Sequence, residues 1–257
     1  MHQKLRIIPR LDIKNNTIVK GIHLEGLRVV GIPADASDKY YIQGADEILY
    51  MDAVASLYER NSLKDIVRKV AENVFVPLTV GGGLRSIDDI REVLRSGADK
   101  VALNTAAIRR PELVKEASRM FGSQCIVGSI EAKKMGDGRW EAYVDTGREA
   151  TGIDAVEWAL RLVDFGAGEL LITSIDHEGM KNGFEIDLIK KITDQVPIPV
   201  IACGGCGRLE HIEKLVNATP ISAVACASIF HYEIFGVSQV KEYLNGHGIP
   251  VSVRQKL

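Results

Sequence analysis

Pro77-Leu78-Thr79-Val80-Gly81-Gly82-Gly83 returns about half a chain later as Pro199-Val200-Ile201-Ala202-Cys203-Gly204-Gly205. Upstream at the same offset, Gly44-Ala45-Asp46-Glu47-Ile48-Leu49-Tyr50 reappears as Gly166-Ala167-Gly168-Glu169-Leu170-Leu171-Ile172. The echoes are short apolar runs bounded by glycine or proline, the pattern of buried parallel strands entering turns. A chain that repeats at half its length and alternates strand with helix predicts one closed parallel barrel built from two similar halves. Equivalent strand ends then meet on opposite sides of one mouth, so pairs of equivalent residues are the place to look for chemistry.

The rest of the pattern agrees. Strands are expected to begin near Arg6, Glu47, Phe75, Lys100, Cys125, Glu169, Ile198 and Ser222. Amphipathic stretches lie between them, as in Leu63–Ala71, Ile87–Ser96, Pro111–Phe121, Asp154–Phe165, Ile186–Val196 and Leu209–Asn217. Eight such units make an α/β fold, a single (β/α)8 TIM barrel with a two-fold half-barrel repeat, and the 257 residues suit one domain spanning 1–257. An open doubly wound sheet would leave the half-chain repeat unexplained. Long loops follow strand 1 (Ile13 to Pro33) and strand 5 (Lys133 to Gly152), equivalent places where lids form. The second carries an Asp137-Gly138 turn before Trp140–Val144, which predicts a hairpin.

Composition narrows the function classes. A net charge of -2 argues against nucleic acid or an anionic membrane as partner. No apolar run approaches a membrane span, and Met1–Arg6 leads straight into a strand rather than a signal peptide. Four cysteines in 257 residues point to a reducing compartment, so a cytoplasmic location is expected. Cys203-Gly204-Gly205-Cys206 has the CxxC spacing, but no second pair completes a metal site, and neither a metal nor a cofactor is expected.

Three constellations remain. Asp12 ends strand 1 and Glu131 ends strand 5, opposed carboxylates at the catalytic face and suited to general acid–base work. Gly82 and Gly83 after strand 3, with Asn104 and Thr105 after strand 4, form one candidate phosphate cradle. Gly204 and Gly205, with Ser228, form its equivalent, so a long ligand with a phosphate at each end is expected. Arg6, Glu47, Lys100 and Glu169 start strands 1, 2, 4 and 6 and should gather on the bottom face. Position alone reads them as a stability network, or as a selective entrance.

These residues, with Arg6-Ile7-Ile8-Pro9, Val19-Lys20-Gly21, Gly97-Ala98-Asp99-Lys100, Asn104-Thr105-Ala106-Ala107 and Ser228-Ile229-Phe230-His231-Tyr232, resemble the cyclase subunit of imidazole glycerol phosphate synthase, the HisF family, over nearly the whole chain. The resemblance implies a barrel docked by its bottom face onto a glutaminase (HisH-type) subunit. Ammonia released there would pass a gate of Arg6, Glu47, Lys100 and Glu169 and reach a bis-phosphorylated ribonucleotide. Cyclisation and cleavage would give imidazole glycerol phosphate and an aminoimidazole carboxamide ribotide in histidine biosynthesis. The resemblance also places Lys20, Asp176 and Gly179 among the substrate- and phosphate-binding residues.

The departures cluster at the mouth. Glu131 replaces the family's second catalytic Asp, Arg10 a usual Cys, Met180 a usual Thr and Cys203 a usual Ser. That pattern resembles a second branch of the family, which delivers ammonia to a sugar amidotransferase for amidination of a surface-polysaccharide (LPS O-antigen) sugar. The departures favour that branch, with the histidine-pathway cyclase as the alternative. An isomerase of the sister barrel fits two phosphates but not the four-residue ring.

Overall fold

The computed structural model describes residues 4–53 and 63–253. Twelve strands form one sheet: β1 (Arg6–Lys14), β2 (Thr17–Ile22), β3 (Glu25–Gly31), β4 (Ile48–Asp52), β5 (Leu78–Gly81), β6 (Lys100–Leu103), β7 (Ile126–Lys134), β8 (Trp140–Val144), β9 (Glu149–Asp154), β10 (Glu169–Ser174), β11 (Val200–Cys203) and β12 (Ala223–Cys226). Eight of them run parallel in the order β1-β4-β5-β6-β7-β10-β11-β12, and β12 pairs with β1 to close the ring. Helices such as Lys64–Ala71, Ile87–Arg95, Ala155–Asp164 and Ile186–Thr193 lie between successive strands. This is a (β/α)8 barrel.

Local chemistry explains the element ends. Pro77 and Pro199 have no N–H to give a ladder, so β5 and β11 begin one residue later, at Leu78 and Val200, rather than near Phe75 and Ile198. Both prolines still accept through their carbonyls, Pro77 from Ile48 N–H and Pro199 from Leu170 N–H, each at 3.0 Å. These are equivalent bonds in the two halves. Ser86 and Asp89 form a reciprocal capping box at the start of Ile87–Arg95. Asp154 accepts from Val156 and Glu157 N–H, so it caps the next helix rather than opening it.

Two apolar layers result. The outer one, between strands and helices, includes Val67, Ile90, Leu113, Trp158, Leu188 and Leu215. Each fully buried aliphatic side chain there contributes roughly 1.5–3 kcal/mol over exposure. The inner one fills the bore with Ile8, Leu49, Met51, Ala102, Val127, Leu171, Ile201, Cys203, Ala223 and Ala225.

Both long loops form antiparallel ribbons. β8 and β9 extend β7, which realises the hairpin expected after Asp137-Gly138. β2 and β3 extend β1 in the same way, although no turn dipeptide announces them. Their connection uses His23 and Leu24, both at positive φ. His23 is held there by its N–H to Glu178 O and its Nδ1 to Ile175 O, each 2.8 Å. Contacts from across the mouth thus stabilise a turn that the local sequence does not favour.

Candidate active site

At the N-terminal end of the parallel strands, four charges close into an alternating ring. Arg6 donates to Glu47 at 2.9 Å and to Glu169, while Lys100 lies 2.9 Å from Glu47 and 2.8 Å from Glu169. Thr79 Oγ1 donates a further hydrogen bond to Glu47. Burial works against the Lys100 charge, but Glu47 and Glu169 hold its pKa above the ordinary lysine value. The ring stands directly beneath the apolar filling of the bore.

At the other end, Asp12 and Glu131 sit near the C-terminal tips of β1 and β7, which stand four places apart in the ring of eight. The two carboxylates therefore face each other across the mouth, and both are buried. Their surroundings drive them apart in acidity. Burial would raise the Asp12 pKa, yet Arg10 Nε at 2.9 Å and Lys20 Nζ at 3.8 Å keep it below the ordinary range. For Glu131 burial prevails and pushes the pKa up to about 7, against the field of Arg10 and a hydrogen bond from the Gly147 backbone. Asn104 Nδ2 donates to Glu131 at 3.1 Å and orients it. One group is thus ionised at neutrality while its partner is poised to hold a proton, the division that acid–base catalysis on two sides of a substrate requires.

The glycine clusters flank this pair. A cavity of about 200 Å³ runs from Arg10, Asp12 and Glu131 to Gly82, Gly83, Asn104 and Thr105. A smaller one is lined by Gly179, Gly204, Gly205 and Ser228. A third, containing Lys20, Gly179 and Ser228, links the two. Gly82 and Gly204 adopt φ of +94° and +96°, and a Cβ on either would lie 2.6 Å from Asp52 O or 2.8 Å from Ser174 O. Asp52 and Ser174 are themselves equivalent strand ends, so both halves build their turn on the same backbone crossing. Only glycine satisfies it.

Some placements were not legible in the sequence. Asp176 lines none of these cavities; its carboxylate accepts Lys134 N–H at 2.8 Å and pins the β7–β8 ribbon. Met180 is exposed and also lies outside the linings. Glu178, absent from the sequence-derived set, is buried against Lys20 and lines the second cradle. Its partner lies far away in the chain, so no spacing could mark it. His231 donates from Nε2 to Arg10 O (2.9 Å) and accepts at Nδ1 from Tyr40 OH (2.8 Å), and burial lowers its pKa to about 4. Among the described residues, no group of three or more His, Cys, Asp or Glu is arranged to hold a metal, and no helix is long and apolar enough to cross a membrane.

A family profile described as "Histidine biosynthesis protein" matches residues 6–236. A Legionella pneumophila protein named "Imidazole glycerol phosphate synthase subunit HisF" is 59% identical over 206 residues, covering 80% of this chain and 97% of that protein.

Proposed function

The chain belongs to the HisF family, and from that premise we propose that it is the synthase subunit of a glutamine-dependent imidazole glycerol phosphate synthase, a cyclase/lyase of histidine biosynthesis. The observation that carries the reading is the pair of opposed carboxylates with separated acidities, Asp12 and Glu131, set between two equivalent glycine cradles. The ligand is a bis-phosphorylated ribonucleotide with one phosphate in each cradle and its reacting centre over the carboxylates. Asp12, held ionised by Arg10 and Lys20, accepts a proton from the reacting centre, and Glu131, which retains one near neutrality, donates its own from the far side, so that the two carboxyls exchange protonation states over the step.

Ammonia enters from below. The ring of Arg6, Glu47, Lys100 and Glu169 is the entrance, and a glutaminase subunit docks on that face. Neutral ammonia tolerates the apolar bore, whereas ammonium would be desolvated at large cost there. The similarity to the Legionella pneumophila protein supports this cyclase reading over the sugar-amidination branch toward which the mouth departures lean. Neither the relative nor the geometry supports a polysaccharide sugar or a sugar amidotransferase as partner.

The test is turnover of the bis-phosphorylated ribonucleotide with saturating ammonium salts, and then with glutamine and the glutaminase. A kcat of about 1 s⁻¹ or more is expected. A folded protein with no turnover in either assay would refute the cyclase assignment.

A further inference from the structure

Holding Asp12 ionised engages only one edge of the buried Arg10 guanidinium, and its remaining contacts reach across the barrel. Arg10 lies on β1, its guanidinium bonded to Asp12 through Nε at 2.9 Å. Nη1 reaches Thr173 Oγ1 on β10 at 3.0 Å and Cys203 Sγ on β11 at 3.4 Å. In the closed ring β10 is three places from β1, nearly the full bore away. The side chain can cross because β12, which lies between, turns only Ala223 and Ala225 into the interior. Below the guanidinium lie Ile8, Leu49, Val127, Leu171 and Ile201; above it opens the cavity that Asp12 and Glu131 share. Arg10 is thus a bar drawn across the top of the bore.

We propose that Arg10 is an exit gate, which separates the apolar bore from the reaction chamber and admits ammonia when the guanidinium leaves Thr173 and Cys203. This inference rests on the ammonia-delivery reading. Two physical consequences follow from a cation in that place. It repels ammonium, so that the neutral molecule alone is passed, as a pore arginine excludes cations. It also gives the ligand a handle on the gate: Arg10 lines the chamber, and a phosphorylated ligand draws the guanidinium upward from its far contacts. Ammonia would then be released into the chamber only when its acceptor is present.

External ammonium reaches the chamber through the mouth, whereas glutamine-derived ammonia must pass the bar. The ratio of glutamine-supported to ammonium-supported turnover therefore reports the gate. Thr173→Val with Cys203→Ala removes the far contacts and keeps the Arg10–Asp12 pair. In the complex with the glutaminase, glutamine-supported turnover should rise by up to about tenfold, the factor that one lost hydrogen bond of typical strength carries. Ammonium-supported turnover should stay unchanged. Ala225→Val, which narrows the passage beside the bar, should lower the glutamine-supported rate alone. Thr173→Val by itself should act in the same direction as the double variant and serves if that variant is unstable. Equal effects on both rates, or none, would overturn the gate. A wild-type complex that used ammonium but never glutamine would instead overturn the delivery reading beneath it.

Discussion

Replacing Glu131 by Gln should make the protein relatively more stable as pH rises, because it removes a carboxyl that folding forces towards its neutral form. The Glu131 pKa moves from an ordinary 4.5 to about 7 on folding, chiefly by burial. Between those values the folded chain holds a proton that the unfolded chain has released, so the contribution of Glu131 is fully present below about pH 4.5 and is lost as pH climbs through about 7. At about 1.36 kcal/mol for each pH unit of separation, the loss is on the order of 3 kcal/mol. Gln mimics the neutral carboxyl and can still accept from Asn104 Nδ2, so it carries a constant offset and no titration. The measurement is urea denaturation of wild type and Glu131→Gln at intervals from about pH 5 to pH 8. The difference between their unfolding free energies should drift by roughly 2–3 kcal/mol in favour of Gln across that range. The same titration should govern chemistry: wild-type kcat should decline above about pH 7, and Gln, which has no proton to give, should lower it by about 10²–10⁴-fold. A stability difference that is flat with pH would refute the burial argument, and with it the separation of acidities that assigns Glu131 the acid role.

Other outcomes follow from the same geometry. Arg10→Cys removes the nearest cation from Asp12, so the Asp12 pKa should rise and the acid limb of the pH–rate profile should move to higher pH; an unmoved limb would mean that Lys20 alone sets the ionisation. Gly204→Ala forces a Cβ to 2.8 Å from Ser174 O at a φ of +96°, which should cost about 1–3 kcal/mol of stability and weaken a bis-phosphate ligand; unchanged binding by calorimetry would remove that cradle. Lys100→Met leaves Glu47 and Glu169 facing each other with Arg6 as their remaining ring cation, so thermal stability should drop by a few kcal/mol and glutamine-supported turnover should fall more than ammonium-supported turnover. Loss of stability without that asymmetry would reduce the ring to a structural network. Crystals grown in sulfate should show anions beside Gly83 and Gly205, and density at neither site would count against both cradles.

Repetition and burial explain what the linear sequence alone determined. Strands buried on both faces must be continuous apolar runs, and a duplicated half must repeat them at a constant offset, so Pro77–Gly83 against Pro199–Gly205 was enough to declare the barrel and its symmetry. Once the barrel is known, strand order places Arg6, Glu47, Lys100 and Glu169 at one end and Asp12 and Glu131 at the other, because residues at strand tips inherit their position from topology. Side-chain reach was left to the tertiary structure. Arg10 was visible as a departure beside Asp12, but its crossing to Thr173 and Cys203 depends on the small residues that a third strand turns inward. Glu178 is brought to the second cradle only by closing on Lys20 from the opposite half, while the Asp176 carboxylate is turned to the Lys134 N–H of a ribbon. The raised pKa of Glu131 likewise belongs to no local motif. It comes from the exclusion of water by loops far apart in the chain, and the strength of a charge in a closed mouth is a property of everything packed around it.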